Sequence, residues 1–163
     1  MRKISIIMAH ASDGAIGHQG GLPWPHHAED MRRFREATLG EAVIMGRRTW
    51  ESLNGPLKYR HNIVLTSKPG RIERSQADAV ETIEEALEVA GDSHAFFIGG
   101  RELFSKALIY ANHFLLTEIH GKWPADVYFR VPFLSSKRLI SSKEWMHPED
   151  SRMNCTFSEY AND

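Results

Sequence analysis

The chain has 163 residues, a length suited to one domain with a core of its own. Apolar residues make up 42% and charged residues 25%, which excludes a disordered chain, and 20 Lys and Arg against 21 Asp and Glu leave no basic excess for nucleic acid or an anionic membrane. A single cysteine, Cys155, excludes an internal disulfide and suits a reducing cytoplasm.

The basic start Met1-Arg2-Lys3 precedes a short apolar run, ISIIMA over 4–9, which reads as a strand covered on both faces rather than a signal peptide. Similar runs at 42–45, 62–66, 95–98 and 114–119 predict further strands. None approaches the roughly 18 to 20 apolar residues that a membrane span needs. Helical patterns fall between them. Met31, Phe34 and Thr38 share a face at i, i+3, i+7. Thr82-Ile83-Glu84-Glu85 reads as a capping box, with Ile83, Ala86, Leu87 and Ala90 as an apolar stripe ended by Gly91. A third helix is expected near Arg101. Helical periodicity stops near Ser135, and 137–142 with 153–160 predict a C-terminal antiparallel hairpin. The expected class is α/β: one domain over 1–163, with a central, mainly parallel sheet and flanking helices.

Glycines 14, 17, 20 and 21 with Pro23 and Pro25 predict a long adaptable loop over 11–26. It could be a plain surface connection or an active-site lid; the apolar tip Leu22-Pro23-Trp24 favours the lid, because it needs something to cover. Asp30 follows in the first turn of a helix. It could simply answer the helix dipole, as Glu29 does. The spacing to Phe34 at i+4 and Ala37 at i+7 instead puts it on the apolar side, with Arg32, Arg33 and Glu36 pointing elsewhere. A carboxylate there is desolvated, and a ligand with two adjacent N–H donors would satisfy it.

Two strand-to-helix junctions suit phosphate. In Val43-Ile44-Met45-Gly46-Arg47-Arg48-Thr49 a strand ends at a glycine and a helix opens with two arginines. In Phe96-Phe97-Ile98-Gly99-Gly100-Arg101-Glu102 the strand ends at a glycine pair that lets a ligand approach backbone. Together they suggest one extended, multiply charged ligand such as a dinucleotide, although the G-x-G-x-x-G pattern is missing. Leu65-Thr66-Ser67-Lys68 offers hydroxyls and a cation that suit a 2′-phosphate; it could also be a generic turn. Adjacent His26-His27 is not a metal-binding spacing, and no metal site is expected.

Leu22-Pro23-Trp24, Asp30, Phe34, VIMGRRTWES over 43–52 and Ile98-Gly99-Gly100, in that order, closely resemble bacterial dihydrofolate reductases over about residues 4–129. The resemblance implies an NADPH-dependent oxidoreductase acting on a CH–NH group. It would reduce 7,8-dihydrofolate to tetrahydrofolate for one-carbon metabolism, as a cytoplasmic monomer and antifolate target with no nucleic-acid or membrane partner. It makes Asp30, Trp24 and Thr117 the catalytic residues, with Asp30 gripping the pterin and supporting protonation of N5. Ile7, Met8, Met31, Phe34, Leu53, Leu57 and Ile98 would wall the substrate, and Arg60 would clamp the glutamate tail. Ala9, Ile16, Gly46, Arg47, Arg48, Thr49, Leu65, Thr66, Ser67, Lys68, Ile98, Gly99, Gly100, Arg101, Glu102 and Phe104 would hold NADPH.

Met8, His10, Phe104 and Ala125-Asp126-Val127 depart from the commoner pattern, as does an extra residue between Trp24 and Asp30. Two rivals remain: an NADPH-dependent pyrimidine reductase of riboflavin synthesis on a related fold, which needs neither Asp30 nor Arg60, and a non-catalytic nucleotide-binding module.

Overall fold

Every apolar run read from the sequence is a strand in the computed structural model, which describes residues 2–163. In chain order the strands are β1 (Ile4–Ala11), β2 (Ala15–Gly17), β3 (Ala42–Gly46), β4 (His61–Leu65), β5 (Asp78–Val80), β6 (Ala95–Gly99), β7 (His113–Ile119), β8 (Val127–Tyr128), β9 (Arg138–Trp145) and β10 (Cys155–Ala161). The helices are α1 (Ala28–Thr38), α2 (Arg47–Ser52), α3 (Ile83–Ala90) and α4 (Arg101–Ala107). The class is α/β with a mainly parallel sheet and an antiparallel C-terminal pair. Two compact units divide the chain.

The first unit holds residues up to Ile6 together with Arg35–Ala111. Its strands run in the order β5-β4-β3-β6-β1, and every pairing is parallel. Ala42, Val43, Ile44 and Met45 are wholly buried, as are Ile63, Val64 and Phe97. That explains why these strands read as continuous apolar runs instead of alternating ones. Helix α3 is capped by Thr82, whose hydroxyl oxygen accepts from the Glu85 amide at 3.1 Å. The return half of the expected capping box differs: the Thr82 hydroxyl donates to the Glu85 carboxylate at 3.3 Å. Gly91 ends the helix at φ 63°, a conformation that glycine adopts without steric cost.

The second unit holds Ile7–Phe34 and Asn112–Asp163. Its strand order is β1-β7-β10-β9, with β10 antiparallel to both neighbours. The expected C-terminal hairpin is therefore present, with β9 longer at its far end than the sequence suggested. A separate two-stranded pairing joins β2 to β8. The segment over 11–26 is thus less open than a long loop: β1 runs on to Ala11, β2 lies within it, and His18 bridges Gly21. The core of this unit gathers Ala11, Ala15, Trp24, Ile119, Met153, Cys155 and Phe157.

Candidate active site

Asp30 sits in the first turn of α1, and the Thr117 hydroxyl of β7 donates to its carboxylate. Burial holds the carboxyl above the usual aspartate range; the Thr117 hydrogen bond and the Arg33 charge pull it part of the way back. This is the desolvated acid that the i, i+4 spacing implies. One neighbour differs from expectation. Arg33 does not point away: its guanidinium lies 3.8 Å from the centre of the Phe157 ring and within electrostatic reach of Asp30. Cys155, on the strand that pairs with β7, has its thiol pushed up to about 12, by burial first and then by Asp30. It stays protonated and unreactive.

Trp24 does not project from a loop tip. It is 4% exposed inside the core of the second unit, while Leu22 is 49% exposed. The indole is too large to leave in water and finds cover in its own unit, and its buried Nε1–H has no hydrogen-bond partner among the described residues. Ile7, Ala9, Ile16 and Phe34 are half-buried in the same unit, Met8 is buried, and Met31 is exposed.

The remaining residues named from the sequence belong to the first unit. Strands β3 and β6 are parallel neighbours, so both glycine junctions lie at the carboxyl ends of adjacent strands. A Cβ built on Gly46 would stand 3.8 Å from the Gly99 carbonyl oxygen, which shows how closely the two junctions approach. Gly99 has φ 126°, a conformation that needs glycine, and the peptide joining it to Gly100 is cis. Phe104 packs its ring 3.4 Å from the Gly99 Cβ position, with Thr49 Oγ1 at 3.8 Å. Neither Gly46 nor Gly100 can offer a side-chain cap, so the first amides of α2 and α4 remain available to an anion.

Arg47 and Arg48 are exposed at the start of α2, and Arg47 pairs with Glu51 at 2.6 Å. At the end of β4, the Thr66 hydroxyl accepts from the Lys68 amide at 3.1 Å, while Ser67 and Lys68 are exposed and Leu65 is half-buried. Ile98 is half-buried, and Arg101 and Glu102 are exposed on α4. Arg60 donates to Thr38 Oγ1 at 3.1 Å and to the Lys58 carbonyl at 2.8 Å. Burial and the nearby Arg35 lower its pKa. Leu53 and Leu57 are half-buried in the same stretch, and the Leu57 amide is fastened to Asn62 at 2.9 Å. Among the described residues no cluster of His, Cys, Asp and Glu could hold a metal ion.

The family model for dihydrofolate reductase matches residues 3–162. The chain belongs to the dihydrofolate reductase family. It is similar to the dihydrofolate reductase of Bacillus subtilis, at 34% identity over 96% of this chain and 93% of that one. The Staphylococcus aureus dihydrofolate reductase is 31% identical over 94% of both chains. Among solved structures it resembles the dihydrofolate reductase from Enterococcus faecalis complexed with NADP(H) and RAB-propyl. That likeness has a TM-score of 0.88 and 26% identity, covering 99% of this chain and 96% of that one.

Several departures from the commoner dihydrofolate reductase pattern now have a physical account. Phe104 gives up a phenolic hydroxyl but keeps its ring against the Gly99 backbone. His10 is buried, with Nδ1 donating to the Ala11 carbonyl at 2.9 Å, so its polarity is met locally. Val127 itself pairs with Gly17 in the β2–β8 ladder. The Asp126 carboxylate accepts from the Gln19 amide at 2.9 Å, its own amide donates to the Gly17 carbonyl at 3.0 Å, and a Cβ on Gly17 would meet Val127 at 3.1 Å. Sequence reasoning missed Arg33 and His27, whose Nδ1 accepts from the Asp30 amide at 3.1 Å, because neither a cation over a ring nor a histidine capping a helix leaves a spacing signal.

Proposed function

We propose that the chain reduces 7,8-dihydrofolate to 5,6,7,8-tetrahydrofolate with NADPH, as a monomeric cytoplasmic enzyme supplying one-carbon metabolism. The observation that carries this reading is Asp30: a desolvated carboxylate on α1, tied to Thr117, in a chain of the dihydrofolate reductase family. A carboxylate so placed is costly to the fold unless it serves a ligand with N–H donors.

The first unit fits an anionic dinucleotide. Bare glycine backbone at Gly46, Gly99 and Gly100, amides without side-chain caps, and the cations and hydroxyls of Arg47, Arg48, Thr66, Ser67 and Lys68 match its phosphates, the 2′-phosphate included. Gly46–Thr49, Leu65–Lys68, Ile98–Glu102 and Phe104, with Ala9 and Ile16, would hold it. When bound, NADPH supplies the hydride that is added to pterin C6.

The chain's own residues do the rest. Asp30 binds the 2-amino group and N3 of the pterin and supports proton delivery to N5, aided by a carboxyl already raised above its usual range. Thr117 fixes the orientation of that carboxylate. Trp24 keeps water from the pterin side and retains an N–H to donate. Ile7, Met8, Met31, Phe34, Leu53, Leu57 and Ile98 exclude water along the substrate, and the Arg60 guanidinium fork takes the α-carboxylate of its tail.

Purified protein mixed with NADPH is expected to consume it only when dihydrofolate is added, with tetrahydrofolate as the product. A folded preparation that binds NADPH and shows no turnover would leave a nucleotide-binding module as the better reading.

A further inference from the structure

His27 takes no part in the reaction outlined above, yet both of its ring nitrogens are committed. It stands immediately before α1, where its carbonyl accepts from the Met31 amide at 3.0 Å, and its side chain is 3% exposed. Nδ1 lies 3.1 Å from the Asp30 backbone nitrogen, and Nε2 lies 2.8 Å from the Met153 carbonyl oxygen. A backbone amide can only donate and a carbonyl can only accept. Nδ1 is therefore bare, Nε2 carries the proton, and the ring is neutral with its tautomer fixed from both sides. A second proton on Nδ1 would point straight at the Asp30 N–H.

The ring is held by aromatic neighbours as well. Its centroid is 5.3 Å from that of Trp145 and 6.4 Å from that of His147. His147 is itself fastened, its Nδ1 accepting from the amides of Glu149 and Asp150 at 3.1 and 3.0 Å. The ionisable groups set around His27 are Asp30 on α1 and His147 after β9. Helix caps are ordinarily Ser, Thr, Asp or Asn, which reach only the amides of their own helix. An imidazole has a second nitrogen, and here it joins the helix start to the turn that leads into β10.

We propose that His27 is a positioning residue for Asp30: its fixed neutral ring ties the Asp30 backbone to the Met153 turn and so sets where the carboxylate stands. Asp30 is then gripped twice, by Thr117 at the side chain and by His27 at the main chain. The inference rests on the reductase reading, since that reading gives Asp30 its task.

Three substitutions separate the two ends of the ring. His27→Asn keeps an acceptor for the Asp30 amide but does not reach Met153. His27→Gln reaches toward Met153 but gives up the cap. His27→Leu does neither. With dihydrofolate as substrate, His27→Leu and His27→Gln are expected to lose about 10- to 100-fold in kcat/KM, the usual consequence of a misplaced reacting group. Their pH–rate profiles should shift, and NADPH affinity should stay at the wild-type value. His27→Asn, which keeps the cap but loses the tie to Met153, should shift in the same way and retain only part of the wild-type kcat/KM.

A purely structural cap would lower the melting temperature of His27→Leu and leave its pH profile and kcat/KM intact, which would overturn the proposal. So would His27→Asn matching wild type in kcat/KM and pH profile, which would leave the tie to Met153 without a role, or an equal loss of NADPH affinity. If His27→Leu does not fold, nitrogen NMR of the wild-type imidazole decides: the Nε2–H tautomer is expected throughout the active pH range, and a protonated or Nδ1–H ring overturns the proposal. Wild-type protein without dihydrofolate turnover would instead sink the reductase reading, and the same NMR measurement would still test the anchoring.

Discussion

Replacing Asp30 with Asn keeps the size of the side chain and an oxygen for the Thr117 hydroxyl, but removes the charge and the proton. Positioned proton transfer is worth about 10²- to 10⁴-fold, or roughly 3 to 5 kcal/mol of barrier. Dihydrofolate turnover should fall by at least about the lower figure, while NADPH still binds through other residues. The pH dependence is more telling. Burial raises the Asp30 carboxyl above its ordinary value, so wild type keeps a proton there further toward neutral pH than a free aspartate would. The Asn variant must draw its proton from solvent, and its rate should climb with acidity where the wild-type rate has levelled off.

Stability should move the other way. A carboxyl whose pKa is higher in the folded than in the unfolded chain stabilises the fold fully below the unfolded value. That contribution disappears as pH rises through the folded value. Near neutral pH the ionised, desolvated Asp30 is therefore a burden, and Asp30→Asn should melt above wild type there, with the gap closing in acid. Rate profiles and melting curves across pH check both halves. A variant that melts lower than wild type at neutral pH, or keeps wild-type turnover, would refute the account of a strained acid kept for chemistry.

Three further outcomes follow from the same geometry. Thr117→Val removes the hydrogen bond that pulls the Asp30 carboxyl down, so the fall in rate with rising pH should move to higher pH; a shift to lower pH would contradict this. Arg47→Ala breaks only an exposed ion pair with Glu51, worth about 0.3 to 0.5 kcal/mol, so the melting temperature should barely move. Its kcat/KM with NADPH should drop more than that with NADH, and equal losses would place Arg47 away from the 2′-phosphate. Arg60→Leu should raise KM for dihydrofolate and spare a pterin lacking the glutamate tail, as compared in parallel steady-state assays; an equal penalty on both would remove Arg60 from the tail.

Much of the fold is legible because parallel strands buried on both faces leave unbroken apolar runs, as at Ala42–Gly46 and Ala95–Gly99. Strands without that signature are not legible. β5 has three residues and opens on an exposed aspartate, and β2 and β8 are too short to show a period. Asp30 is legible because helical spacing ties it to Phe34. Arg33 is misplaced by the same rule, since spacing treats a cation as solvent-facing although its planar head lies on the Phe157 ring. Trp24 reads as a lid tip only because the glycines around it hide that the indole belongs to the core.

Cys155 is the sole thiol of the chain, sealed in the core of the second unit, with its proton held by burial and by Asp30. That gives the protein a built-in gauge of its own opening. A thiol reagent at neutral pH meets almost no thiolate in the closed form, so labelling proceeds only through molecules whose second unit has come apart. The labelling rate then counts those rare openings without any introduced probe. A ligand that grips Asp30 should slow the count in proportion to its occupancy, and a pterin could be titrated against a single sulfur.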